Sequence, residues 1–478
     1  MTDKVLAICA TMGKGKSTYI INYMNNHPNK QFIYVTPNLT EVDRVRRATN
    51  FRFITPTGKS KLKDLKNLIF NGKSVAITHA LFKTLDQEII TLIKSTPIHL
   101  VIDETVDCFK KLKVSKQDIS VMLDKGMIEV VELGEGDETY YRVVYNDEKV
   151  MVEGYPVSKW QGLAQHQLYA KHIEGKDVYT TDKCEWLISM LPHDIYNAAE
   201  EVTLLTYNFE HTDMWCYLKL HSIEIQEKGV SGTYPNFYLT PKQKVLGSEY
   251  KHLINIVGGG GRSRINAIGE KSKVSKRIPL SKSWYLEADK SQKEQVKKNT
   301  RNFFTKIADN GEGTPADLNM VTVYKDGKKA IRHTDAEGYI YEDVLVNNLQ
   351  EVTIHSSILD SPFKTVGKIT QEDKETLTRE QLATRYCFIP FNTRATNIYS
   401  HKTSCAFLVD VYYDTSVQAF FKAYGIEMSN DTYALNTLIQ WLWRSRIRNG
   451  EPIDLYIPSA RMRRLLMNWL EWEPKDQF

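Results

Sequence analysis

Two short runs hold the residue types and spacing that could do chemistry. Ala10-Thr11-Met12-Gly13-Lys14-Gly15-Lys16-Ser17 follows the phosphate-binding pattern GxxxxGK[ST], with alanine in place of the first glycine. Small residues let successive backbone N–H groups wrap phosphate oxygens. Lys16 then reaches the β- and γ-phosphates, Ser17 ligates Mg2+, and a helix opening at Ser17–Thr18 turns its positive end to the anion. Gly13, Lys14, Gly15, Lys16, Ser17 and Thr18 are therefore the expected contacts of a nucleotide. A chance glycine–lysine turn has no need to follow an apolar strand and open a helix, and this one does both. Asp103-Glu104 closes the apolar run His99–Ile102. An acid ending a neighbouring parallel strand can hold Mg2+ through water, and a second carboxylate beside it can orient and deprotonate a water. Asp103 joins Ser17 on the metal side, and Glu104 is the expected general base. The alternative, a solvated strand end, loses force once the loop lies upstream.

These residues need a parallel sheet to bring them together, and the surrounding sequence predicts one. KVLAIC (4–9), FIYVT (32–36), SVAIT (74–78) and HLVI (99–102) are short buried-strand runs separated by helical stretches. From about 112 to 185 the texture changes to alternating apolar residues broken by Gly-Glu-Gly-Asp and Asn-Asp-Glu, which predicts an antiparallel insertion. VTLLTYNF (202–209) then resumes the first domain. Residues 231–285 are turn-rich and include a GGGG run at 258–261, read as connector ahead of a phosphate nest. A second α/β unit follows: a helix from about Lys290 to Ala308, strands at 319–325, 387–391 and 405–413, a helix over Asp431–Arg448, a strand at 455–459 and a terminal helix. The expected domains are 1–230, the connector 231–285, and 286–478.

A chain of 478 residues accommodates two to four such domains, and a net charge of +5 permits nucleic-acid binding without demanding it. The cysteines at 9, 108, 184, 216, 387 and 405 form no CxxC pair, so neither a disulfide framework nor a zinc ribbon is expected, and a reducing cytoplasm fits. The first residues do not make a secretory signal, and no run of about 18 apolar residues predicts a membrane span.

In collinear order over most of its length, the chain resembles a superfamily-two helicase or translocase of the DEAD/DEAH-like kind, of phage type. ATMGKGKST (10–18) and DETV (103–106) match its first two nucleotide motifs. VTPNL (35–39) and ITHALF (77–82) resemble motifs that contact a strand backbone, and LLTYNF (204–209) stands where the family couples the two activities, with Thr206 the matching residue. FNTRATNIY (391–399) resembles the motif ending in Arg-Gly-x-Asp, with alanine for glycine and asparagine for aspartate. QWLWRSRIR (440–448) resembles QxxGRxGR, with tryptophan for glycine and the last arginine displaced by one position. The resemblance implies two RecA-like parallel-sheet domains in tandem, with the β-rich insertion in the first. It implies ATP and Mg2+ as cofactors and nucleic acid as partner, DNA ahead of RNA. Strand contacts would come from Thr36, Pro37, Thr78, His79, Arg394 and Asn397, and coupling from Thr206. Gln440, Arg444 and either Arg446 or Arg448, with Arg448 preferred, would face the γ-phosphate. On the predicted helix Gln440, Arg444 and Arg448 recur every four residues and share a face. An arginine finger of this kind is worth about 10³–10⁵ in rate.

Such a protein would act in the cytoplasm (of the host, if phage-encoded), with replication or recombination proteins as partners and no membrane. A large-terminase-like packaging ATPase shares the loop and the Asp-Glu pair but needs a nuclease domain of clustered carboxylates. The C-terminal half offers Gln440 and arginines instead. An ATP-switched clamp that binds nucleic acid without translocating remains an alternative. The insertion, with Tyr140, Tyr141, Tyr145, Tyr155, Trp160, Lys149, Lys159 and Lys171, is read as serving nucleic acid rather than ATP. Trp441, Trp443, Trp469 and Trp472 are read as core residues of terminal helices ahead of base stacking.

Overall fold

Strands buried on both faces must be apolar at nearly every position, and the runs VLAIC, QFIYVT and IHLVID meet that demand. The structure is a computed structural model. It describes residues 5–50, 53–58, 60–113, 124, 126, 128–131, 140–145, 167–171, 186–242, 246–258, 264–270, 277–324, 332–334, 340–342, 376–377, 381, 387–393 and 397–471. The chain forms two compact units, Met1–Gln243 with Tyr413–Ser429, and Lys244–Tyr412 with Asn430–Phe478.

The first unit is built on strands β1 (Val5–Cys9), β2 (Gln31–Thr36), β3 (Val75–Thr78) and β4 (Ile98–Asp103). An insertion supplies β5 (Phe109–Lys113), β6 (Ile128–Val131), β7 (Tyr140–Tyr145), β8 (Gln167–Lys171) and β9 (Trp186–Met190). The main sheet then resumes with β10 (Glu201–Thr206), β11 (Ile225–Thr233) and β12 (Asn236–Pro241), in the order β12-β11-β1-β10-β4-β2-β3. All neighbours are parallel except β11 and β12. Alternation sorts the side chains to two faces. Ile8, Tyr34, Val101 and Leu205 meet helices α1 (Lys16–Asn26) and α2 (Leu39–Ala48) through Ile20, Met24, Val42 and Val45. Ala7, Val35, Ile102 and Leu204 meet Ile69, Ile89, Ile93 and Tyr217 on the other face.

The insertion is an antiparallel sheet, ordered β5-β9-β8-β7-β6, rooted where Phe109 pairs with Met190. Side chains of β7 and β8, among them Tyr140, Tyr141, Tyr145 and Lys171, and Tyr155, Trp160, Lys149 and Lys159 lie outside the described residues. Residues 231–233 and 236–241, read from sequence as connector, are paired strand: with the turn Tyr234–Pro235 they complete the β11–β12 hairpin. The GGGG run falls largely outside the described residues. Tyr413–Ser429 returns to the first unit, where Val417, Phe420 and Phe421 of the helix Thr415–Ala423 enter its core and Phe421 meets Phe109 at 5.1 Å between ring centroids.

The second unit holds β13 (Ile254–Ile256), β14 (Asn319–Thr322), a separate antiparallel pair β15 (Arg332–Thr334) and β16 (Ile340–Glu342), β17 (Ser404–Phe407) and β18 (Ile453–Tyr456). Its main sheet, β13-β18-β17-β14, is parallel throughout. The fold is thus α/β, with two parallel-sheet units in tandem and an antiparallel insertion in the first. CFIPF (387–391) makes only a bridge, Phe388 to Val321, instead of a full strand. The helix Lys290–Asn302 continues as a wider π turn over Phe303–Ile307, which seats Phe303 and Phe304 in the core.

Candidate nucleotide site

The carboxyl edge of the first sheet gathers the motif residues by register. Cys9 lies level with Thr206, Leu205 with Asp103, and Thr36 with Thr78, while β2 and β4 pair as far as Val35 and Ile102. This is the edge where open parallel sheets bind ligands.

Beyond Cys9 the chain turns through the phosphate loop. Gly13 and Gly15 have φ of 82° and 89°, a left-handed backbone that disfavours a Cβ. A Cβ at Gly15 would also lie 2.3 Å from Cε1 of Phe237 on β12, so the ring would have to move to admit a side chain. Lys16 Nζ donates to the carbonyls of Ala10 (2.5 Å) and Thr11 (3.1 Å), which holds the ammonium on the loop. Gly15 caps α1 without a side chain, and the first turn of α1 has no carboxylate. Other helices of this unit are capped by Asn38, Ser60, Thr78, Asp86 and Thr212. At α1 no capping side chain competes with an anion for the first-turn N–H groups of Ser17 and Thr18. The residues present therefore suit a phosphate.

Asp103, 9% exposed, closes β4. Its Oδ2 accepts a 2.8 Å hydrogen bond from the Tyr34 hydroxyl, and Arg44 Nη2 of α2 stands 3.8 Å away. His79 Nε2 lies 2.9 Å from the Asp103 carbonyl. Burial, aided by the Glu104 charge, pushes the Asp103 carboxyl up to about 6, against the lowering effect of Tyr34 and Arg44. Glu104 has φ of 65°, left-handed for a residue with a side chain, so the chain bends sharply at the proposed base. Such a conformation costs on the order of 1–3 kcal/mol and persists only where surroundings impose it. Here Glu104 N–H donates to Leu205 O (2.9 Å) and Ala10 N–H to Thr206 O (3.1 Å). Consecutive carbonyls of β10 thus anchor the loop and the acidic turn, while the Thr206 side chain itself is buried.

The raised pKa of Asp103 has a consequence for stability. The fold favours the protonated acid, so without a cation its stability falls as pH rises from about 4 to about 6, and the full cost is present above that window. Asp103→Asn should therefore raise the melting temperature of the Mg2+-free protein at pH 8, by up to about 3 kcal/mol of stability, while it abolishes hydrolysis. The amide oxygen can still accept from Tyr34. A variant that melts at or below the wild-type temperature would show that the buried carboxylate carries no such cost.

Of the expected strand contacts, Thr78 and His79 are engaged within the first unit. Thr36 is fully buried at the end of β2, and Pro37 beside it is half-buried. Thr78 Oγ1 accepts from Leu81 N–H, and His79 is engaged with Asp103 as above. In the second unit Asn397 is exposed, while Arg394 lies outside the described residues.

The expected helix face of Gln440, Arg444 and Arg448 needs correction. The helix is Asn430–Leu442, with Gln440 in its last turn. Arg444 N and Ser445 N then bond to Trp441 O and Leu442 O, a tighter three-residue pattern, and Arg446–Asn449 is a separate 3-10 turn. Trp441, whose Nε1 donates to Ile389 O (3.0 Å), and Trp443 are core residues that pull the chain inward. Arg444 is only 2% exposed, and Arg448 is half-buried. These residues are therefore not stacked at helical intervals.

Sequence reasoning missed Tyr34, Arg44 and Phe237. Tyr34 leaves one signal, a hydroxyl inside a strand buried at every position. Arg44 and Phe237 leave none, because their roles depend on elements remote in sequence.

Residues 248–470 match the family described as the YonV C-terminal Rossmann-like domain. Over nearly its whole length the chain is similar to the SPbeta prophage-derived uncharacterized protein YonV of Bacillus subtilis (strain 168), with 28% identity across 98% of this chain and 99% of that protein. That relative's prophage origin accords with the phage type of the resemblance. Among solved structures the chain is similar to an apo XPD (12% identity, TM-score 0.48, 98% of this chain and 96% of that one). It is also similar to Xpd4 of S. tokodaii (11% identity, TM-score 0.46, 99% and 95%). Among the described residues no helix is long and apolar enough to cross a membrane, and Cys9, Cys108, Cys216, Cys387 and Cys405 are free thiols.

Proposed function

We propose that this protein hydrolyses ATP to move along or unwind nucleic acid, DNA ahead of RNA, in replication, recombination or repair. The observation that carries the proposal is the shared anchoring of the two halves of the site. The phosphate loop and the Asp103–Glu104 turn are both held by consecutive carbonyls of β10, which sets the phosphate contacts and the acidic pair at one edge of the sheet.

On this reading the N–H groups of Gly13 to Thr18 hold the phosphates, and Lys16 turns its ammonium from the loop carbonyls to the β/γ oxygens. Ser17 and Asp103 would hold Mg2+. Bound there, the cation neutralises charge on the phosphates. Asp103 must first lose its proton, which Tyr34 and Arg44 assist. Glu104 orients and deprotonates the attacking water. Gln440, Arg444 and Arg448 remain the proposed γ-phosphate partners, with half-buried Arg448 the more readily tested arginine because Arg444 also serves the core. Thr36, Pro37, Thr78, His79, Arg394 and Asn397 would contact the strand, and Thr206 would couple the two. The location would be the cytoplasm, with replication or recombination proteins as partners.

The test is ATP turnover with single-stranded DNA, duplex DNA and RNA as stimulants, beside a strand-displacement assay. Turnover should rise several-fold with single-stranded DNA, and Arg448→Ala should lose that rise while melting normally. Turnover indifferent to all three nucleic acids would overturn the motor assignment.

A further inference from the structure

The β11–β12 hairpin borders β1 on the side away from the acidic strand. β11 pairs with β1 only as far as Ile8 and Lys228, so the hairpin from Gly229 to Thr240 runs on past the carboxyl end of β1, beside the phosphate loop. Val230, Phe237 and Leu239 share the hairpin face turned to α1 and pack with the cluster of Ile8, Ala10, Ile20 and Ile21. The half-buried Phe237 ring rests on Gly15, and Asn22 Nδ2 ties the tip to α1 through Pro235 O at 2.7 Å. Tyr234 and Tyr238 of the same hairpin are 81% and 60% exposed.

Strand order sets the direction of a bound nucleotide. Asp103 and Glu104 lie across β10 from β1, and the γ-phosphate must face them if Glu104 is to activate water. The nucleoside end then leaves on the opposite side of β1, where the next strand is β11. We propose that this hairpin is the nucleobase subsite, with Phe237 the ring on which the base of a nucleoside triphosphate stacks. The inference rests on the nucleotide reading of the phosphate loop given above. Stacking accepts every base, because each has a π-face, so purines should be preferred over pyrimidines only modestly, by contact area.

The rival role for Phe237 is mechanical, a prop under Gly15. The two separate by a ligand that has phosphates and no base. Equilibrium binding of ATP, UTP and inorganic tripolyphosphate to the full chain with Mg2+ is the experiment. Wild type should bind ATP more tightly than tripolyphosphate. Phe237→Ala should weaken ATP about tenfold and leave tripolyphosphate unchanged, and Phe237→Trp should keep ATP affinity. If Phe237→Ala does not fold, Phe237→Leu carries the same comparison, since it keeps an apolar contact on Gly15 without a π-face. Equal losses for ATP and tripolyphosphate, or no loss for ATP, would overturn the subsite. Wild-type protein that binds ATP and tripolyphosphate equally would also overturn it while the phosphate site stands. Wild-type protein that binds neither would overturn the phosphate site itself.

Discussion

Lys16→Ala is expected to leave a folded protein whose ATP hydrolysis falls by at least about 10²–10³-fold, the loss typical when one preorganised charge partner of a reacting group is removed. On the proposed reading the Lys16 ammonium carries the β/γ-phosphate contact, and no neighbouring backbone N–H can replace its charge. The substitution also removes the hydrogen bonds from Nζ to Ala10 O and Thr11 O. Because Lys16 is half-exposed, that loss should cost about 1 kcal/mol or less, since water can take over the carbonyls. The start of α1 is untouched: Tyr19 N–H still bonds Gly15 O at 2.8 Å. Phosphate release and thermal melting together check the expectation. Turnover equal to wild type would remove Lys16 from the site, and a collapsed melting temperature would make it a structural lysine.

Glu104→Gln is expected to keep nucleotide binding and lose hydrolysis by about 10²–10⁴-fold, the usual worth of a general base. The amide has the shape of the carboxylate but cannot take a proton. It should also hold the left-handed backbone at this position, which the bond to Leu205 O imposes whatever the side chain. A further sign distinguishes this role. The Glu104 charge helps to raise the Asp103 carboxyl, so its removal lets Asp103 ionise at lower pH. Binding of Mg2+ with nucleotide near pH 6 should therefore match or exceed that of wild type. If affinity and turnover fall together at that pH, Glu104 holds the cation and the base lies elsewhere.

Local signals reached far in the first unit. The phosphate loop, the Asp103–Glu104 turn, the four strands that lead to them and the presence of an antiparallel insertion were legible. Each is written in consecutive residues: an apolar run with a glycine-rich end, an apolar run with an acidic end, and alternation broken by turns. In the second unit local signals misled. CFIPF has the composition of a strand and makes one bridge. The helix expected to reach Arg448 stops at Leu442, because Trp441 and Trp443 are drawn into the core and the chain tightens around them.

The sequence by itself determined the glycine-rich turn between β1 and α1, because spacing and small residues within eight positions decide how a backbone can bend there. Tertiary structure alone decided that β10 carries both halves of the site, that Tyr34 and Arg44 surround Asp103, and that Phe237 lies on Gly15. It also decided that Tyr413–Ser429 completes the first unit. A short amphipathic helix records in its residues that one face needs burial, but not which core will bury it. That choice is made by shape and by the apolar surface left open around Phe109, which exists only once the sheet has formed.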